Sequence, residues 1–264
     1  EPHLGLSAAR NRGLAETRGE VAVYLDDDAV PRPGWLAALL APYPAAGVAC
    51  VGGRVRLHFA TPPPPWLTPP LHPALSAFDL GDAPRRLRDR PGDEYPYGAN
   101  ISFRSAVARA HGGFSTHVGP RGRHELVHDE TDLCFRVDRA GGEIHYAPAA
   151  VVDHWVLPER LTPQWFLTRH ALRGRSAAVF ELRNRGLRPA LGRVRWFYGP
   201  HLAVRPYAPG TAVDPVRLVA ECRRREALGY LAGLARGMLR LRALRRDLPA
   251  DPPQPAALAA PAGG

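Results

Sequence analysis

The chain has 264 residues, 45% of them hydrophobic, with a formal net charge of +10. That length suits one large domain, or one domain plus an extension, with ample apolar content for a core. The three cysteines form no C-x-x-C pair and no apolar run approaches the length of a membrane span, which argues against a zinc site, a disulfide framework and a membrane-spanning helix.

All 35 basic residues are arginine, and 29 Pro, 26 Gly and abundant Ala accompany them. This reads as a bias towards GC-rich codons, so part of the positive charge is compositional. Its functional reading is attraction to phosphates in a nucleotide, a nucleic acid or an anionic membrane. The start, Glu1-Pro2-His3, has no initiator Met and no signal pattern, and reads as the interior of a longer protein.

Residues 6–18 lack Pro and predict a helix with Gly19 as its stop. Val21-Ala22-Val23-Tyr24-Leu25 follows, a short apolar run of the kind buried on both faces of a parallel sheet. It ends on Asp26-Asp27-Asp28. Three adjacent carboxylates repel one another unless a cation sits among them. A hard divalent ion is the natural partner, since Mg²⁺ takes one or two carboxylates plus substrate phosphates. The cluster equally suits a solvated turn capping a short helix over residues 34–40, and the residues alone leave both readings open. Residues 48–57 predict a strand, with Gly52-Gly53 marking a bulge or a close backbone approach. Residues 61–73, rich in Pro, read as an extended surface loop or lid. Residues 79–94 are charged and irregular.

In Tyr95-Pro96-Tyr97-Gly98-Ala99-Asn100 the small residues permit close backbone approach to a ligand. A turn entering a strand explains the same residues. A helix over residues 105–111 stops at Gly112-Gly113. Asp129-Glu130-Thr131-Asp132 opens a helix over residues 130–140, where the dipole stabilises first-turn carboxylates in their ionised form. Two short strands are predicted at residues 143–146 and 150–155, the second ending on Asp153-His154. Thr162 as N-cap and Pro163 at the first helical position open a long helix to about residue 185. Residues 215–248 mix Leu and Arg and predict a basic amphipathic helix that packs on the domain and touches anionic membrane. Residues 249–264 are Pro/Ala/Gly-rich and read as disordered.

Several blocks occur in one order: Ser7-Ala8-Ala9-Arg10-Asn11-Arg12-Gly13, then Val21 to Asp28, then Gly98-Ala99-Asn100-Ile101-Ser102-Phe103-Arg104, Gly112-Gly113-Phe114, and Asp129-Glu130-Thr131-Asp132-Leu133-Cys134-Phe135-Arg136. In this order they resemble a family 2 glycosyltransferase over roughly residues 4–175. The resemblance implies an α/β fold of the GT-A (Rossmann-like) type, a mixed sheet flanked by helices, with a C-terminal helical extension. It implies a nucleotide-sugar donor, Mg²⁺ or Mn²⁺, inversion at the anomeric carbon, and a glycan, lipid-linked or other hydroxyl acceptor. Residue by residue, Asp26-Asp27-Asp28 match the D-x-D signature. Asp28 is the direct metal ligand on this reading, with Asp26 nearer the ribose and His154 near the diphosphate. Asp129-Glu130 match the acidic pair whose second member is the catalytic base. Arg10 and Asn11 match a helix flanking the nucleotide, and Gly98, Ala99 and Asn100 a segment lining the donor sugar. The family's N-terminal nucleotide-binding strands have no counterpart here.

The resulting division is a glycosyltransferase domain over residues 1–155, N-terminally incomplete, a helical extension over 156–248, and a tail over 249–264. The expected setting is cytoplasmic, with peripheral attachment to the inner face of a membrane. A degenerate, non-catalytic glycan- or nucleotide-binding module is the alternative. Among residues 216–248 only Tyr230 interrupts the arginines with an aromatic ring, so no nucleic-acid partner is expected.

Overall fold

The computed structural model describes residues 5–90, 94–116, 120–121, 124–125, 127–208, 210, 212–240 and 244. The predicted disordered tail lies outside them, as do residues 241–243 and 245–248 of the last predicted helix. The first helix, α1, spans Leu6–Glu16 and leads into β1 (Val21–Leu25) and β2 (Ala29–Pro31). Then come α2 (Trp35–Leu40), β3 (Val48–Phe59), β4 (Arg85–Leu87), β5 (Asn100–Arg104) and α3 (Ser105–Ala110). The short pair β6 (Pro120–Arg121) and β7 (His124–Glu125) precedes α4 (Asp129–Arg139) and β8 (Glu143–Val156). Helices dominate the rest: α5 (Pro163–Asn184), α6 (Leu187–Arg193), α7 (Gly199–Leu202) and α8 (Pro215–Met238).

The main sheet has the strand order β1-β5-β3-β8-β2, with β4 also on β8. Only β3 and β8 run parallel; the other pairs are antiparallel. The mixed sheet flanked by helices and the C-terminal helical extension are thus both present.

Three expectations are corrected. First, β1 is not enclosed within a parallel sheet. Among the described strands it pairs only with β5, antiparallel, and Leu25 is exposed. Its residues are apolar because each face meets a different cluster. Val21 and Val23 pack towards Leu39 and Tyr43, while Tyr24 packs edge-on against Phe103 and Phe114. Second, residues 143–156 form one strand, not two. The break suggested by Ala147-Pro148-Ala149 is a register shift within the strand, opposite the step from Gly53 to Arg54 on β3. Bulges of this kind let a strand carry a Pro without ending. A Cβ on Gly53 would lie 2.1 Å from the Ala150 carbonyl oxygen, so bulge and close approach coincide. Third, residues 61–73 are only partly a surface loop, with the prolines at 62, 63, 65, 69 and 70 exposed. Leu67 and Leu71, with Leu75 just beyond, are buried against Phe166, Leu167 and Leu218, forming a second core between the sheet domain and the helices.

The helical extension is anchored by close backbone contact. Thr162 caps α5, its hydroxyl accepting from the Trp165 amide at 3.3 Å, and Asp214 caps α8 by accepting from Val216 and Arg217. Gly174 of α5 and Gly229 of α8 leave no room for a methyl group. Added Cβ atoms would stand 1.9 Å from the Glu226 carbonyl oxygen and 2.0 Å from that of Ala171. Leu218, Cys222, Ala227 and Tyr230 of α8 are therefore spent on the protein interior, while Val216, Leu228 and Met238 stay exposed. Gly→Ala in an exposed helix stabilises by about 1 kcal/mol. At Gly229 the sign reverses, with Gly229→Ala losing roughly 1–3 kcal/mol to overpacking. Calorimetric melting should show a fall in Tm of about 2–4 °C per kcal/mol. Gly192→Ala, whose Cβ meets nothing within 4 Å, should show none.

Candidate active site

Strand geometry places the acidic cluster. β1 ends beside the start of β5, with Leu25 opposite Asn100, so Asp26 emerges next to the Tyr97–Asn100 turn. The chain then turns into β2, which pairs with the end of β8 and sets Ala29 opposite His154. Asp28 is thereby clamped against β8, its carbonyl accepting from the Trp155 amide at 2.8 Å.

Asp26, Asp28 and His154 carry ligand atoms that all lie within 4.8 Å of one another. His154 Nε2 lies 3.1 Å from Asp28 Oδ1, and an Arg160 guanidinium nitrogen lies 3.3 Å from Asp28 Oδ2. Burial lowers the pKa of His154 against the pull of Asp28, which favours the neutral imidazole a metal requires. Its Nδ1 is buried without a hydrogen-bond partner among the described residues. Two partly exposed carboxylates and one imidazole form a mixed oxygen/nitrogen set that a divalent ion such as Mn²⁺ fits. Asp27 is exposed and stands outside this group.

The second acidic pair sits at the start of α4. Asp129 is buried, and its Oδ2 accepts from Ser7 Oγ at 2.9 Å and Arg10 Nη1 at 3.0 Å. Arg10 Nη1 also lies 3.7 Å from Glu130 Oε2, while Nη2 lies 3.4 Å from Asp26 Oδ1. One guanidinium, 7% exposed, thus touches both acidic clusters. Gly98 makes room for it, since a Cβ there would lie 2.0 Å from Arg10 Nη2.

Asp26 and the Asp129–Glu130 pair share a cleft of about 170 Å³, whose lining does not include Asp28 or His154. Arg10, Asp26 and Glu130 line it, with Gly98 and Ala99 on the turn and Arg169 and Arg173 from α5. The helix dipole does not decide the state of Glu130 as expected from sequence. Burial, and then Asp129 beside it, push its carboxyl up to about 8 against the pull of Arg10. Burial likewise drives His128 down to about 4, helped by the charge of Arg173.

Two residues matched by resemblance spend their amides on the fold. Asn11 donates to the Phe114 carbonyl at 2.8 Å and accepts from the Phe114 amide at 2.7 Å, fixing the Gly112-Gly113 turn. Asn100, fully buried, donates to the Arg54 and Ala150 carbonyls and accepts from Trp35 Nε1. It fastens three strands and α2 beneath the cleft. Asp132, third in the acidic block, faces inward, where Arg136, Arg183 and Asn184 all donate to it and tie α4 to α5.

The sequence reading missed Ser7, His128, Arg169 and Arg173 as site residues. Arg173 opens the segment Arg173-Gly174-Arg175-Ser176, whose Gly174 and Ser176 give the reason for the pattern. Gly174 admits α8, and Ser176 Oγ accepts from the Val127 amide at 2.9 Å, steadying the entry to α4. Arg173 itself faces the cleft and makes no hydrogen bond or ion pair with the described residues.

The family model Glycosyl transferase family 2 matches residues 1–109. The chain is 33% identical over 186 residues to the pre-mycofactocin glycosyltransferase of Mycobacterium tuberculosis, an alignment covering 69% of this chain and 36% of that protein. It is 28% identical over 187 residues to the glucosyl-dolichyl phosphate glucuronosyltransferase of Haloferax volcanii, covering 69% and 58% of the two. It is 29% identical over 192 residues to the succinoglycan biosynthesis protein ExoM of Rhizobium meliloti, covering 72% and 57%. The chain therefore spans between about a third and three fifths of the length of these relatives.

Proposed function

Residues 1–109 belong to glycosyl transferase family 2, and from that premise we propose that the protein moves a sugar from a nucleotide-sugar donor to an acceptor hydroxyl with inversion. The observation that carries the reading is the triple contact of Arg10, which holds Asp26, Asp129 and Glu130 at one cleft.

Asp26, Asp28 and His154 would hold a Mg²⁺ or Mn²⁺ ion, which supplies charge neutralisation to a departing nucleoside diphosphate. Glu130 is the general base. As the acceptor oxygen bonds to the anomeric carbon and the carbon–phosphate-oxygen bond breaks, Glu130 takes the hydroxyl proton. Asp129, already engaged by Ser7 and Arg10, orients the pair rather than accepting that proton. Gly98 and Ala99 border the cleft beside Arg10, on the wall where the transferred sugar would lie. Arg173 offers the cleft a guanidinium for an anionic group on donor or acceptor, in keeping with the acceptor being glycan or lipid-linked.

The metal role is tested by calorimetry with a nucleoside diphosphate, with and without Mn²⁺. Asp28→Ala and His154→Ala should each weaken Mn²⁺-dependent binding by roughly 10–100-fold. Equal affinity with and without Mn²⁺ would remove the metal from the account.

The base role predicts a pH signature. Glu130 accepts a proton only when ionised, and its carboxyl is raised to about 8. Turnover should therefore climb as pH rises from 6 through about 8 and level off above it. Glu130→Gln should lower turnover by about a hundred- to ten-thousand-fold while donor affinity stays near wild type. Steady-state kinetics across pH on both proteins decide the matter; a Glu130→Gln enzyme with the wild-type profile would assign the base elsewhere.

A further inference from the structure

Residues 187–202 run as one helical rod, with α6 passing through a π-helical turn (Val194–Tyr198) into α7. Such turns are rare and frequent at functional sites. The inner side of the rod is spent on the protein, with Ala190 and Tyr198 buried against Ala178, Tyr230 and Leu234. Its outer side is not. Leu191 is 49% exposed, Phe197 51% and Trp196 77%. Exposed large apolar side chains grouped on one element mark an interaction site.

The charge beside these residues indicates what covers them. Between residues 182 and 213 the chain has six arginines and no carboxylate. Arg183, Arg185 and Arg193 turn inward to Asp132, Asp89 and Glu181. Arg188 and Arg195 are exposed, and the Arg195 guanidinium lies 5.0 Å from the Trp196 ring centroid. Exposed Trp, Phe and Leu bordered by arginines match the headgroup region of a bilayer, where aromatic rings settle at the interface and guanidinium groups meet lipid phosphates. The helix expected from sequence to do this, α8, turns Leu218, Cys222, Tyr230 and Leu234 onto the protein and leaves Val216 and Met238 exposed near its two ends. We propose that residues 187–197 dock the protein onto an anionic membrane surface. No described helix is long and apolar enough to cross a membrane. This docking goes beyond the proposed reaction and is tested without it.

The experiment is co-sedimentation of the full chain with vesicles of mixed phosphatidylglycerol and phosphatidylcholine, and with phosphatidylcholine alone. Wild type should bind the anionic vesicles and lose binding at high salt. At about one kcal/mol per arginine, Arg188→Gln with Arg195→Gln should weaken binding by roughly thirtyfold. Trp196→Ser with Phe197→Ser should weaken it by about tenfold or more. All four positions are exposed, and circular dichroism should show both double variants folded. Wild-type binding by either variant, or no preference for anionic vesicles, would overturn the proposal. So would a dimer in light scattering that Trp196→Ser with Phe197→Ser turns into a monomer without changing vesicle binding.

Discussion

The contact on which the site depends is the Arg10 guanidinium among Asp26, Asp129 and Glu130. Without it, two acidic clusters converging on one cleft would repel each other and resist burial. Arginine suits the position because its planar fork addresses several carboxylates at once, which a lysine ammonium cannot do with the same geometry. Its charge is spent mainly on Asp129, leaving Glu130 at greater distance. The result is a division of states: Asp129 fixed by hydrogen bonds, and Glu130 raised by burial and by its neighbour into the range where a base gains and loses its proton near neutral pH.

The rest of the structure keeps that contact in place. α1 delivers Arg10, and its neighbour Asn11 clamps the helix to Phe114. The β1–β5 pairing brings Gly98 over the guanidinium. Behind α4, Asp132 and Arg183 form a buried ionic link to α5, and α5 is pressed onto α8 through Gly174 and Gly229. The helical extension is therefore part of the site's support, and through Arg169 and Arg173 part of its wall.

Much of this was legible in the sequence. The strand ending on Asp26-Asp27-Asp28 and the acidic start of α4 are local patterns, and local patterns survive folding. What was not legible depended on partners distant in sequence. Asn100 looked like a ligand-facing amide because nothing local reveals that Trp35, Arg54 and Ala150 consume it. The ionisation of Glu130 was misread because the helix dipole is visible in sequence and burial is not. β1 looked enclosed because an apolar run shows that both faces are covered, not how many strands flank it. Prolines at 62–70 suggested a surface loop, yet the leucines between them reach a core built by helices a hundred residues later.

The central claim is that the two acidic clusters act as one centre through Arg10. The most direct measurement compares wild type with Arg10→Lys, which keeps the charge and loses the fork. Mn²⁺-dependent binding of a nucleoside diphosphate and turnover are measured on the same folded preparations. The account predicts that both fall together, since one side chain holds both clusters. A variant in which either remains at the wild-type level while the other collapses would show that the clusters work independently, and would contradict it.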